Sequence, residues 1–292
     1  VPDPRSLGRG DLLACYYTLS GAPNGQPARH SFDARVHAAA RAGYAGIGMT
    51  MFDLDACTAE GRTLSDMARV AADAGVSVAE VETLAISPTP TTEERAVARR
   101  MVDAARQLNA RHINVLIDRP PATPIDNDEA AAGFAEICDL VAEAGLLAAF
   151  EFMPFKAVAT LDVATEIVVR AGRDNGGLVV DAYHFFRGGS RLEDVARVSG
   201  DRIVTLQMSD APGSAPDDLL IETRTARLLP GAGGLQLEDL LRALDATGTN
   251  ATVGVELLSD PLRELDADEA ARASYTATRA LVDRVRELET SG

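Results

Sequence analysis

The 292-residue chain is 46% apolar and 25% charged, the balance of a globular fold with enough chain to bury a sizeable core. A formal net charge of −16 argues against nucleic-acid or anionic-membrane partners, which need clustered Lys and Arg, and no run reaches the roughly 18 apolar residues of a membrane span. Cys15, Cys57 and Cys138 are too scattered and odd in number for a disulfide framework or zinc ribbon; with an N-terminus that lacks a basic-then-apolar leader, they lead to the expectation of a cytoplasmic protein.

In chain order, short runs rich in Val, Ile and Leu predict strands over 12–19, 44–51, 76–84, 112–117, 146–151, 177–181, 202–207 and 251–256. Helical patterns fill the intervals at 31–42, 62–74, 92–109, 127–144, 160–171, 190–199 and 235–246, and a last one covers 267–288. Thr92 before EERAVARRM and Thr160 before LDVATEIV read as helix caps. The Ala-Gly pairs at 74–75 and 144–145 supply glycine where a helix must stop. Eight strands alternating with eight helices, with continuous rather than alternating hydrophobicity, imply a parallel sheet covered by helices. Eight such units in about 290 residues predict one α/β domain over 1–292, a closed (β/α)8 TIM barrel. The open dinucleotide-binding alternative wants GxGxxG after an early strand, and none is present. The connection 208–234 is long and rich in Gly, Pro and Asp, as functional or mobile loops are.

The last four strands each finish on an oxygen-bearing side chain: LLAAFE on Glu151, GLVVD on Asp181, RIVTLQ on Gln207 and ATVGVE on Glu256. In a barrel these ends converge on the face that carries the active site. One Asp or Glu at a strand end is more often a helix cap or an ion-pair partner, but four in succession are hard to dismiss. Three of the four are anionic, and collected carboxylates repel unless a cation sits among them. All-oxygen donors favour one hard divalent ion, Mn²⁺ or Mg²⁺.

The segments FEFMPF (150–155), LVVDAYHFF (178–186), VTLQMSDAP (204–212), RLLPGAGG (227–234) and VGVELLSD (253–260) resemble the xylose-isomerase-like TIM barrels. That superfamily includes sugar and sugar-phosphate isomerases and epimerases, inosose dehydratase, dehydroshikimate dehydratases and endonuclease IV. The resemblance is close over the C-terminal half and only general before it. It implies metal ligation by Glu151, Asp181, Gln207 and Glu256. The isomerases commonly carry His where this chain has Gln207, which with DAYH and QMSDAP looks more like the dehydroshikimate dehydratase branch. Many relatives also carry an acidic residue where this chain has Ala232 or Gly234. Endonuclease IV holds several zinc ions with numerous histidines, and four histidines in an acidic chain argue against that activity.

His184, three residues past Asp181, is a candidate substrate contact or proton shuttle, whereas His30, His37 and His112 have no such context. Arg187 with Gly188 and Gly189 reads either as an anion site at the opening of the sixth helix or as a helix-start turn with a solvated arginine. Arg224 and Arg227 on the long loop are further substrate-anion candidates. Met49, Met51, Phe52, Met153, Phe155, Phe185 and Phe186 lie near the expected mouth. They read as core or as an apolar wall, and Phe155 is the one singled out for substrate contact. Lys156 is the only lysine among 28 basic residues, and nothing around it marks a Schiff-base role.

Together these features predict a metal-dependent isomerase or epimerase acting on a small hydroxy-carbonyl, sugar-like substrate through an enediolate. Glu151 and Glu256 would move the α-proton, with His184 as a third catalytic group. The alternative is a lyase of the dehydroshikimate dehydratase type, in which the same intermediate expels a β-hydroxyl. A non-catalytic binding protein is the remaining class. The apolar stripe of 267–288 would pack on the barrel or on a second subunit, so a homo-oligomer is compatible with the sequence.

Overall fold

The structure, a computed structural model, describes residues 4–290. Eight strands form it: β1 Leu12–Ala14, β2 Gly46–Thr50, β3 Ser77–Ile86, β4 His112–Ile117, β5 Leu147–Glu151, β6 Gly176–Asp181, β7 Ile203–Met208 and β8 Thr252–Val255. They pair in parallel and in chain order, and β1 closes on β8. The chain is a TIM barrel. Both strand faces are covered, which is why β4, β6 and β7 are buried at every residue and carry no polar alternation.

The outer helices follow their predicted spans closely, from Phe32–Ala42 to Ala267–Thr290. The exception is 190–199, where only Leu192–Val195 is α-helical before a 3-10 turn at Gly200–Arg202. Thr91, one residue before the predicted cap, forms a reciprocal box with Glu94: each backbone N–H donates to the other's side chain. Thr160 does precede its helix, but its hydroxyl binds Asp162 and not a backbone N–H. Gly75 and Gly145 end their helices with positive φ.

The first two strands differ most from the sequence reading. Strand β1 stops at Ala14, and Tyr16–Ser20 is helical although LLACYYTL reads as one strand. Cys15 donates one last bond to the Val255 carbonyl. The next N–H, of Tyr16, instead donates to buried Glu82 Oε1 at 3.1 Å, so a distant carboxylate caps a helix where the ladder would have continued. Met51 likewise opens the helix Met51–Ala59 and does not extend β2.

One large apolar cluster joins the strands to the helices, and Phe134, Phe150, Val36 and Leu240 are fully buried in it. Leu13 with Ala79, and Ala149 with Val179 and Val204, form small separate clusters on the strands. The stripe of Ala267–Thr290, including Ala270, Ala271, Leu281, Val282 and Val285, is buried against the same chain. Among the described residues no helix is long and apolar enough to cross a membrane, and the three cysteines are buried and unpaired.

Candidate metal and active site

Strand β5 ends on Glu151 and β6 on Asp181. Gln207 is the register partner of Asp181 on β7, and Glu256 follows β8 and donates its N–H to the Met208 carbonyl at 3.3 Å. The Asp181 side chain also caps the helix Ala182–Arg187, where Oδ1 accepts the His184 N–H at 2.7 Å. That cap is what brings His184 into the group. One ligand atom from each of Glu151, Asp181, His184 and Glu256 lies within 4.8 Å of the others, and all four residues are buried.

Arg227 is the buried counter-charge. Its Nη1 donates to Asp181 Oδ2 at 2.8 Å and to Glu256 Oε2 at 2.9 Å. Nη2 donates to Thr223 Oγ1 at 2.9 Å, and the guanidinium lies 4.7 Å above the centre of the Tyr183 ring. Burial raises every carboxyl here, and the neighbours then separate them. At Asp181 the desolvation is outweighed by Arg227 and His184, so the group falls below its ordinary value. Glu151 is raised by burial despite the opposing His184, whose Nε2 is 3.5 Å from Glu151 Oε1. Burial pushes Glu256 well up; Arg227 offsets part of this, and Asp181 and Glu151 add to it.

A cavity of about 300 Å³ opens over these groups, at the small end of ligand sites. Glu151, Glu256, His184 and Arg227 line it, with Met153, Phe155, Leu220 and Leu258 as an apolar wall and Tyr17, Asn24, Thr83, Lys156 and Arg224 around them. The Phe155 ring packs edge-on against the His184 imidazole, their centres 5.4 Å apart.

The structure therefore gathers Glu151, Asp181, Glu256, His184 and Phe155, and places Gln207 at zero exposure on the adjacent strand. Arg227 joins the group by pairing with the carboxylates, and Arg224 stands exposed on the cavity lining. Arg187 is not brought in. Its fork holds buried Glu222, Nε to Oε2 at 2.7 Å and Nη2 to Oε1 at 2.9 Å. Nor does 187–189 open a helix; Gly188 ends the helix Ala182–Arg187, and the anion site envisaged there has no helix N-terminus behind it. Of the candidate mouth residues, Met49 and Phe185 are core, while Met153 and Phe155 face the cavity. Lys156 on the lining pairs with Asp118.

Sequence reasoning missed the carboxylates of β3. Glu80 and Glu82 are buried, and Glu80 Oε2 is 3.2 Å from Nε2 of equally buried His112. Glu82 Oε2 accepts from Asn114 at 3.4 Å. Burial and then Glu80 and Glu256 push the Glu82 carboxyl well up. The signal was legible, since AEVE spaces two acids two apart in a strand and so puts both on one face.

The donor chemistry fits a divalent cation. The three carboxylates and the amide of Gln207 are hard oxygen donors suited to Mg²⁺ or Mn²⁺, and the His184 imidazole stands beside them. Gln207 adds a specific observation: its Oε1 is buried without a hydrogen-bond partner, while its Nε2 contacts Cys15 Sγ at 3.8 Å. A buried unpaired acceptor is uncommon and calls for a partner.

A family model for the xylose isomerase-like TIM barrel matches residues 36–281. The inosose isomerase of Halalkalibacterium halodurans is 33% identical over 158 residues, which cover 53% of this chain and 55% of that protein. A 3-dehydroshikimate dehydratase of Pseudomonas aeruginosa is 28% identical over 153 residues, 52% of this chain and 24% of the relative. The chain thus spans about half the length of the curated inosose isomerases it matches. The crystal structure of the IolI protein with a bound zinc atom superposes with a TM-score of 0.82 at 22% identity, covering 94% of this chain and 99% of that one, a likeness of fold.

Proposed function

The chain belongs to the xylose isomerase-like TIM barrel family, and from that premise we propose that it is a divalent-metal-dependent isomerase or epimerase of a small cyclic hydroxy-ketone of the inosose type. The observation that carries this is the buried meeting of Glu151, Asp181, His184 and Glu256 within 4.8 Å at the barrel mouth. Glu151, Asp181, Gln207 and Glu256 would hold the ion, Mn²⁺ or Mg²⁺ from the oxygen-rich set. When bound, it neutralises negative charge developing on the substrate's carbonyl and neighbouring hydroxyl oxygens.

The protein's own groups do the rest. Glu151 and Glu256 both face the cavity from neighbouring positions at its floor, where a carboxylate can take a proton and return it. One removes the proton α to the carbonyl, and the other restores it at the neighbouring position or on the opposite face. His184 has an unpartnered Nδ1 and stands beside Glu151 through Nε2, so it can bind a substrate hydroxyl and relay its proton. Arg227 keeps Asp181 ionised. The apolar wall of Met153, Phe155, Leu220 and Leu258 suits the less polar face of a ring.

The same wall, with the likeness to dehydroshikimate dehydratases, supports dehydration as a second reading, with His184 protonating the departing hydroxyl. Incubating the Mn²⁺-loaded protein in D₂O with inosose, and separately with 3-dehydroshikimate, tests both. Deuterium at the α-carbon of recovered inosose and its isomer supports isomerisation. A conjugated product absorbing in the near ultraviolet from dehydroshikimate supports the lyase. Neither result with either compound would reject both substrate assignments.

A further inference from the structure

Asp210 lies three residues past Gln207 and is 1% exposed. Its carboxylate accepts four backbone N–H groups: Oδ1 from Ala211 at 2.8 Å and Leu235 at 3.0 Å, Oδ2 from Gly231 at 3.0 Å and Gly233 at 2.9 Å. Charge-assisted bonds of this kind are roughly twice as strong as neutral ones; the one from Ala211 is local, and the three from Gly231, Gly233 and Leu235 bind the turn that follows Arg227 to the chain leaving β7. The turn is shaped around the carboxylate, because a Cβ on Gly233 would fall 2.4 Å from Asp210 Oδ1 and 2.3 Å from the Ala211 carbonyl oxygen.

The main chain of Asp210 continues the attachment. Its N–H and carbonyl exchange bonds of 2.8 Å with Leu228, the residue after Arg227. From the other side, the Arg227 N–H donates to the Leu258 carbonyl at 3.2 Å, and Ala226 bridges to Ser259. The segment that carries Arg227 is thus stitched between the chain leaving β7 and the chain leaving β8. Its guanidinium arrives between Asp181, which ends β6, and Glu256, which follows β8.

We propose that Asp210 is a positioning residue which, by anchoring the 228–235 turn, sets the Arg227 guanidinium between Asp181 and Glu256 and acts on the site only through Arg227. Asparagine is the informative replacement. It keeps one acceptor oxygen for two of the N–H groups, but turns an amide NH₂ toward the other two donors.

The test is a double-mutant cycle of Asp210→Asn and Arg227→Met read as the Kd for Mn²⁺, which needs no substrate. Arg227 is a cation bonded to two of the donor residues, so Arg227→Met should tighten Mn²⁺ binding by about tenfold through lost like-charge repulsion. Asp210→Asn should tighten it by roughly threefold in the wild-type background and change it by less than about 1.5-fold in the Arg227→Met background. Equal shifts in both backgrounds, or none in the wild type, would overturn the proposal and leave Asp210 a purely structural residue.

The cation reading of the site underlies only this first readout. Should the wild-type protein bind no Mn²⁺, that reading fails, and the cycle is read instead in urea midpoints with EDTA. A smaller loss from Asp210→Asn in the Arg227→Met background than in the wild type supports positioning, and full additivity refutes it. If Asp210→Asn does not fold, Gly231→Ala replaces it in both cycles. It strains the same turn at a φ of 86° while leaving the carboxylate and Arg227 in place.

Discussion

Replacing Arg227 by Met removes the counter-charge and keeps most of the side chain's volume over Tyr183. The guanidinium makes three bonds of 2.8–2.9 Å, to Asp181, Glu256 and Thr223, in a fully buried setting. Removing one partner of a buried ion pair costs about 3–5 kcal/mol, because the remaining charge is left unpaired. With an unfolding entropy of about 2.1 cal/mol/K per residue, a chain of this length loses roughly 0.6 kcal/mol per degree, so the melting temperature should fall by about 5–8 °C. The assay is thermal unfolding in EDTA and then with Mn²⁺. A cation at a hundred times its Kd returns about 2.7 kcal/mol, or roughly 4 °C. The pH dependence has a definite sign. With the counter-charge gone, the Glu256 carboxyl lies still higher in the folded state, so the variant is least impaired in acid and loses stability as pH rises through that raised value. A variant that melts within about 1 °C of the wild type in EDTA at neutral pH would refute the argument, because a buried charge pair that costs nothing to break was not holding the carboxylates.

Asp181→Ala should abolish stoichiometric divalent metal in a protein purified without added ion, while the fold persists by circular dichroism; retained metal would remove Asp181 from the ligand set. His184→Gln should lower kcat by about 10²–10⁴ with metal content unchanged, the usual scale for losing a proton-transfer group. Phe155→Ala opens the apolar wall and should raise KM for a ring substrate by roughly tenfold, about 1.4 kcal/mol, with a smaller effect on kcat. Glu94→Ala breaks the capping box and should cost about 1 kcal/mol at neutral pH by urea denaturation. Burial pushes Glu94 up, but the donors from Thr91 and Ser87 bring it below its ordinary 4.5. The wild type's advantage is therefore complete above pH 4.5 and should fade as pH falls through the lowered folded value.

The carboxylate set was legible because it needs only local information. Buried parallel strands announce themselves as apolar runs, and the residue that ends such a run in a barrel faces the mouth, so the carboxylates of Glu151, Asp181 and Glu256, with the amide of Gln207, were placed without any long-range contact. His184 followed from its spacing to Asp181, which turned out to be a helix cap. The long side chains behaved otherwise. Arg187 and Arg227 looked alike in sequence, yet Arg187 went to Glu222 and Arg227 to the carboxylates. An arginine reaches several partners from one backbone position, and only the packed fold decides which carboxylate is near enough to repay its desolvation. The end of β1 was equally non-local, since YYTLS continues an apolar run and becomes helical where Glu82, 66 residues away, takes the Tyr16 N–H. The turn held by Asp210 joins residues up to 25 apart. Local pattern determined the elements and which residues stand at their ends; the tertiary structure decided where the charges between those ends are neutralised, because a buried charge is stable only beside a partner that the fold alone can bring to it.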